Sequence, residues 1–125
     1  MHILVVDDEQ DVRLLFEQRF RRELRTQQLT FHFFTSGQAA LDYIEQEQDT
    51  PVVLILADIN MPGMTGLELL QRVKAHDATI KVFMVTAYND ANHQQAAAQH
   101  GADAYFAKPV DFRELKARIL TVGDA

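Results

Sequence analysis

Cysteine is absent from this 125-residue chain, which excludes disulfide bonds, thiolate metal sites and a cysteine nucleophile. No apolar run approaches the roughly 20 residues that a membrane-spanning helix needs. No basic stretch followed by an apolar run and a cleavage site marks a signal peptide. Lys and Arg number 12 against 18 acidic residues, and the resulting net charge of −6 is unsuited to holding nucleic-acid phosphates. We therefore expect a cytoplasmic chain that binds neither membranes nor nucleic acid directly.

The length suits one compact domain with its own core, so we predict a single domain over residues 1–125 with no output domain in this chain. Apolar runs typical of buried strands lie at residues 2–6, 29–34, 52–57, 81–85 and 104–107. Each run is followed by a segment with helical spacing: residues 11–24, then segments that begin after Ser36, Thr65, Asp90 and Asp111. Alternation of short strands and helices predicts an α/β protein with a parallel sheet covered by helices on both faces.

The number and size of these units fit a flavodoxin-like, doubly wound sheet of five parallel strands in the order 2-1-3-4-5, with five helices. The pattern alone leaves the strand order open. In such a sheet, ligands bind outside the carboxyl ends of the strands, where the strand order reverses.

Polar residues follow four of the five predicted strands. Asp7 and Asp8 follow the first, Asp58 the third, Thr86 the fourth and Lys108 the fifth. We expect the three carboxylates to converge at the sheet edge, where they repel one another unless a cation is present. An all-oxygen cluster suits a hard ion such as Mg²⁺. Each feature also has an ordinary structural explanation, since acids often follow a strand at a helix amino terminus.

The segments "ILVVDDE", "ADINMPGMTGLELL", "MVTA" and "GADAYFAKP" occur in this order and together resemble the receiver (CheY-like) domain of two-component response regulators. The resemblance covers essentially the whole chain. It implies a phosphoprotein of phosphorelay signal transduction, which catalyses only its own phosphorylation and dephosphorylation and is otherwise not an enzyme. The implied partners are a sensor histidine kinase or a phosphotransfer protein, together with a downstream effector that the sequence does not identify.

The resemblance also implies roles for individual residues. Asp58 would accept the phosphoryl group, and Asp8, Asp58 and the Asn60 carbonyl would hold Mg²⁺, with Asp7 acting mainly through water. Lys108 and the Thr86 hydroxyl would bind phosphoryl oxygens, and the bond between Lys108 and Pro109 would be cis.

Phosphorylation would shift the surface formed by the fourth helix, fifth strand and fifth helix, with Thr86 and Tyr105 as switch residues. Tyr88, two residues after Thr86, could shield the phosphoryl group from water and slow its loss. Some family members dimerise through charged pairs on the same surface. Asp103 and Arg118 could contribute here, but the fourth helix lacks Lys and Arg, so a homodimer stays an open alternative.

Two other classes compete with this interpretation. A phosphohydrolase of the haloacid-dehalogenase type would use Asp7 as its nucleophile, although Glu9 stands where such enzymes place an Asp. A receiver fold could also serve only as an unphosphorylated binding module. The five histidines show no ligand spacing along the chain, and we interpret them as solvated or helix-face residues: His2, His32, His76, His93 and His100.

Overall fold

A computed structural model describes residues 1–46, 51–88 and 90–123, with no side-chain description for residue 123. The strands are β1 (His2–Val6), β2 (Thr30–Phe34), β3 (Val52–Ala57), β4 (Lys81–Thr86) and β5 (Ala104–Ala107). The helices are α1 (Asp11–Arg19), α2 (Arg21–Arg25), α3 (Gly37–Glu45), α4 (Gly66–His76), α5 (Ala91–Gln99) and α6 (Phe112–Gly123).

All five strands are parallel and hydrogen-bonded in the order β2-β1-β3-β4-β5, which confirms the predicted doubly wound topology. Strand order reverses between β1 and β3, the two strands that precede the predicted acidic residues. Three strands have the bounds that their apolar runs predict, whereas β2 begins one residue later and β4 continues through Thr86. Val6, the last residue of β1, pairs with Ala57, the last residue of β3, so the carboxyl ends of these two strands are adjacent.

Alternate strand residues pack against helices on opposite faces of the sheet. On one face, Leu4, Ile55 and Met84 join a buried cluster that receives side chains from α3, α4 and α5. On the other face, Ile3 and Leu56 join a cluster that receives side chains from α1 and α6. Burial on both faces explains why the central strands read as continuous apolar runs.

The first predicted helix, residues 11–24, is divided in two at Phe20. Backbone torsions of φ −112° and ψ 23° take Phe20 out of helical geometry, although its N–H still donates to the Phe16 carbonyl. The described residues thus form six helices, of which α2 has five residues and the other five have nine or more. Phe20 is fully buried. The stability gained by packing its side chain in the core exceeds the stability lost by interrupting the helix at this residue.

The predicted caps position the helices that flank the sheet edge. Ser36, Thr65 and Asp90 each accept a hydrogen bond from a backbone N–H three residues on, at 3.2, 3.2 and 2.8 Å. Asp111 accepts hydrogen bonds from the N–H groups of Arg113 and Glu114, two and three residues on, at the start of α6. Across residues 1–46, 51–88 and 90–123, no helix combines the length and apolar character that crossing a bilayer requires.

Candidate functional site

The first residue beyond each of three strands is still held by the neighbouring strand. Backbone N–H groups of Asp7, Asp58 and Lys108 donate to the carbonyls of Phe34, Val6 and Thr86, at 3.0, 3.1 and 2.9 Å. This continued pairing places two carboxylates at the ends of the adjacent strands β1 and β3, and one ammonium at the end of β5, all at one edge of the sheet. The structure therefore brings together residues that are up to 101 positions apart in the chain.

Asp7, Asp8 and Asp58 form an acidic cluster, with one carboxylate oxygen from each within 4.8 Å of the others. In the described part of the chain this is the one group of three or more His, Asp or Glu side chains with such spacing. The Asp7 and Asp58 side chains are 7% exposed, whereas Asp8 is exposed. The cluster is therefore open to solvent on the Asp8 side.

Lys108 links the two buried carboxylates. Its Nζ atom lies 2.6 Å from Asp7 Oδ2 and 2.9 Å from Asp58 Oδ2, and Glu9 Oε1 lies 3.8 Å away. The remaining oxygens are also engaged, because Asp7 Oδ1 accepts from the N–H of Glu9 at 2.9 Å and Asp58 Oδ1 from that of Asn60 at 3.2 Å. The Lys108–Pro109 peptide bond is cis.

The environment of Lys108 raises its pKa above the ordinary value. Burial by itself lowers the pKa, but the hydrogen bonds and negative charges of Asp7 and Asp58 outweigh burial. A raised pKa in the folded state means that this interaction stabilises the fold below the unfolded pKa of about 10.4, for as long as the two carboxylates are ionised. The stabilisation is lost as the pH rises through the folded pKa.

Lys108→Met is expected to lower the free energy of unfolding by about 2 kcal/mol at pH 7 in Mg²⁺-free buffer, because two buried carboxylates lose their cation. Chemical denaturation measures the effect, and the difference from wild type should shrink above about pH 10.5. Lys81→Met is the matched control: its ammonium is half exposed, 3.8 Å from Asp103, and its loss should cost under about 0.5 kcal/mol. Equal effects of the two substitutions would contradict this assignment.

The acidic cluster fits a divalent cation. Three carboxylates and one ammonium leave a formal charge of −3 + 1 = −2. All the potential ligand atoms are oxygens. Mg²⁺ prefers oxygen ligands, whereas softer metal ions prefer nitrogen and sulfur. Asp8, Asp58 and the Asn60 backbone beside Asp58 are the groups that would hold such an ion, with Asp7 nearby but bonded to Lys108.

Thr86 and Tyr105 contact one loop that follows β4. The Thr86 hydroxyl is fully buried and accepts a hydrogen bond from the N–H of Tyr88 at 3.2 Å. The Tyr105 hydroxyl donates to the Tyr88 carbonyl. Burial and then the charges of Asp90 and Asp58 raise the pKa of Tyr105 above its ordinary value. The backbone of Tyr88 thus connects the two predicted switch residues.

Sequence reasoning missed three features near the site. Glu9 adds a fourth carboxylate, and its position directly after the acidic pair was the available signal. The Tyr88 backbone links Thr86 to Tyr105, which no sequence pattern indicates. At Gly66, the first residue of α4, a Cβ atom would lie 2.0 Å from the Asp58 carbonyl oxygen, so the helix start is pressed against the acidic edge.

A five-stranded parallel sheet of order 2-1-3-4-5 with this acidic edge defines the flavodoxin-like class of CheY-like α/β proteins. Among solved structures, a CheY-like response regulator receiver domain protein from Methanospirillum hungatei JF-1 is similar, with a TM-score of 0.85 and 30% identity. That match covers 98% of this chain and 94% of the other. The activated receiver domain of DrrB, at 21% identity and a TM-score of 0.84, shares the fold.

The family model of the response regulator receiver domain matches residues 3–120. This chain belongs to that family, which confirms the resemblance found in the sequence. It is a signalling domain of the kind found in two-component response regulators, a family with a general phosphoacceptor role and with histidine kinases or phosphotransfer proteins as typical partners.

The curated relatives differ in length. Sporulation initiation phosphotransferase F of Bacillus subtilis (strain 168) is 36% identical over 115 residues, which are 91% of this chain and 86% of that protein. Heme response regulator HssR of Staphylococcus epidermidis is 38% identical over 122 residues, but the match spans only 51% of its length. The DNA-binding transcriptional regulator NtrC of Escherichia coli (strain K12) matches over 24% of its length.

Proposed function

We propose that Asp58 accepts a phosphoryl group from a phosphohistidine of a sensor histidine kinase or phosphotransfer protein, in a reaction that requires Mg²⁺. The observation that carries this proposal is the setting of Asp58: a buried carboxylate at the end of β3, bonded to Lys108 and beside two further acids. An Asp oxygen attacks phosphorus, the nitrogen–phosphorus bond breaks, and the donor histidine keeps the bonding electron pair.

The chain's own contribution to the reaction is positioning and charge neutralisation. The N–H of Asn60 and the ammonium of Lys108 hold the Asp58 carboxylate from both oxygens, so that its orientation is set before the donor arrives. Mg²⁺ held by Asp8, Asp58 and the Asn60 carbonyl would neutralise charge on the acids and on the phosphoryl oxygens. Lys108 would exchange a contact with Asp58 for one with a phosphoryl oxygen.

Phosphorylation adds about one negative charge and strong hydrogen-bond acceptors beside Thr86. The Thr86 hydroxyl would turn from the Tyr88 N–H toward the phosphoryl group, and the loop would carry the Tyr88 carbonyl with it. Because Tyr105 donates to that carbonyl, its side chain would follow. These movements would alter the surface formed by α5, β5 and α6. In the numbering of the sequence prediction, α5 is the fourth helix and α6 is the fifth.

The helix α5 is suited to such a change because it is weakly anchored. Among its described residues only Ala97 is buried, whereas α4 buries Leu69, Leu70 and Val73. Little apolar surface is therefore lost from the core when α5 shifts. We propose this face as the one that a downstream effector reads.

Asp103 and Arg118, the two charged residues that could support a dimer through this face, already have partners within the chain. Asp103 contacts Lys74 at 2.9 Å and accepts the Val82 N–H, and the Arg118 guanidinium lies 5.7 Å from the centroid of the Phe83 ring. Pairing between two copies would have to compete with these contacts. We therefore propose that the unphosphorylated chain works as a single domain without an Asp103–Arg118 dimer.

Intact-mass measurement after incubation with a small phosphodonor tests the proposal. Wild-type protein with Mg²⁺ should gain the mass of one phosphoryl group, and the gain should vanish when a chelator removes the ion. Returning Mg²⁺ should restore the gain, which separates loss of the ion from damage to the protein. If the protein gained no mass with the small phosphodonor or with a purified phosphohistidine donor, the proposal would be wrong. The chain would then serve only as an unphosphorylated binding module.

Tyr88→Ala is expected to shorten the lifetime of the phosphorylated form several-fold. The ring is 40% exposed and packs against His93 with 4.8 Å between ring centroids, beside the loop residues that hold Thr86. Its loss opens a path for water to the acyl phosphate. Decay of the phosphorylated mass measures the lifetime. A control, His100→Ala, changes an exposed side chain at the far end of α5, and decay no faster in Tyr88→Ala than in this control would refute shielding.

A further inference from the structure

Two histidines meet at the amino end of the sheet, away from the acidic cluster. Parallel pairing sets Leu4 of β1 opposite His32 of β2, so that His2 and His32 come together side by side on one sheet face. The His2 Nδ1 and His32 Nε2 atoms are 2.9 Å apart. Asp7, the first residue after β1, lies five residues beyond His2, about 16 Å away at the usual strand rise. This His2–His32 pair has no part in the phosphoryl chemistry.

The 2.9 Å separation is the length of a hydrogen bond between the two rings, and it is also a separation that two nitrogens bound to one metal ion can have. Imidazole nitrogens bind first-row metal ions at about 2.0–2.1 Å, and two such bonds at a right angle place the nitrogens about 2.9 Å apart. A tetrahedral angle would require about 3.3 Å instead. In the hydrogen-bonded pair the two nitrogens face each other, so each ring has to turn to aim its lone pair at one ion. Both side chains are only partly buried, which leaves them room to turn.

The surroundings keep the pair available as ligands. Burial, followed by the charge of His2, lowers the pKa of His32, which favours the neutral imidazole that a metal ion requires. The Tyr43 ring, 5.3 Å from that of His32, packs on one side and limits the rotation of the imidazole. Partial exposure of both histidines leaves room for water as the remaining ligands.

We propose that the His2–His32 pair is a binding site for a transition-metal ion that prefers right-angle nitrogen coordination, namely Cu²⁺ or Ni²⁺. The ion would replace the proton shared by the two rings and would join the edge strand β2 to β1. Mg²⁺ would not compete, since it prefers oxygen ligands, and Zn²⁺ would bind less tightly because it prefers the tetrahedral angle.

Calorimetric titration with NiCl₂ or CuCl₂ in buffer containing Mg²⁺ tests this site. The Met1 amine donates to the Gln28 carbonyl at 3.2 Å, and the His32→Gln variant distinguishes the histidine pair from a site built on that amine and His2 alone. One ion should bind per chain, and the midpoint of thermal unfolding should rise with its concentration. His2→Gln and His32→Gln should each weaken binding at least about tenfold, whereas His76→Gln, at an exposed position, should leave it unchanged.

Circular dichroism establishes that each variant is folded, and electron paramagnetic resonance of the Cu²⁺ complex adds a direct readout. Coupling of copper to two imidazole nitrogens in wild type and to fewer in His32→Gln would support the site. Affinity unchanged in a folded His2→Gln or His32→Gln, or tighter binding of Zn²⁺ than of Ni²⁺, would overturn it. The result is independent of phosphorylation at Asp58, because neither histidine touches the acidic cluster.

Discussion

Asp58→Asn is expected to abolish the Mg²⁺-dependent gain of a phosphoryl group. The amide keeps the shape of the side chain and its place at the end of β3, but it is not a nucleophile and carries no charge to hold a cation. Folding should persist, because Lys108 retains Asp7 as a partner at 2.6 Å. Intact mass after incubation with a small phosphodonor should therefore show no phosphorylated species in the variant.

Asp7→Asn is the matched control, since Asp7 is equally buried and also bonded to Lys108. It should still gain one phosphoryl group, at a reduced rate because the site loses one negative charge. The opposite pattern, with phosphorylation retained in Asp58→Asn and lost in Asp7→Asn, would assign the nucleophile to Asp7. That outcome would support the phosphohydrolase interpretation and refute a phosphoacceptor role of Asp58.

Gly66→Ala is expected to destabilise the protein by about 3 kcal/mol or more. The added Cβ would lie 2.0 Å from the Asp58 carbonyl oxygen, 2.7 Å from its carbon and 2.8 Å from the Ile59 Cα. All three are backbone atoms, so no side chain can rotate away to relieve the clash. Either α4 must move outward or the Asp58 backbone must shift, and both changes disturb the acidic edge. Chemical denaturation measures the loss of stability.

Gly63→Ala serves as the comparison for this substitution. Gly63 has a φ of +75°, but a Cβ there would meet no atom within 4 Å. Only the left-handed backbone penalty applies, which is about 1 kcal/mol. If the two variants lost equal stability, close approach of α4 to the Asp58 backbone would not be the cause. Phosphoryl uptake should also fall in Gly66→Ala while remaining near wild type in Gly63→Ala.

The strand ends are the part of the site that sequence reasoning predicts best. Apolar runs that stop at a charged residue locate Asp7, Asp58 and Lys108 at one edge, because the carboxyl ends of parallel strands share that edge. Continued backbone pairing of these residues explains why the prediction succeeds. Helix boundaries are less regular. The division at Phe20 depends on packing of a buried ring rather than on a Gly or Pro that could be read from the chain.

Contacts between distant segments escape sequence patterns for a different reason. The His2–His32 pair depends on which strand lies beside β1 and in which register. A shift of one residue would turn one ring to the opposite face. The approach of Gly66 to Asp58 depends in the same way on how closely α4 sits against the end of β3.

By itself, the amino-acid sequence determined the kind of elements and the chemistry at their ends. Apolar periodicity, helix caps and the types of residue after each strand are local properties, and they indicate a parallel α/β protein with an acidic edge. The resemblance of four segments to receiver domains indicated the family, which the family model confirms. Only the tertiary structure decided the distances: Lys108 between Asp7 and Asp58, the Tyr88 backbone between Thr86 and Tyr105, and the paired imidazoles at the other end. Distances of this kind follow from strand register and helix packing, which depend on the whole core at once rather than on any one segment.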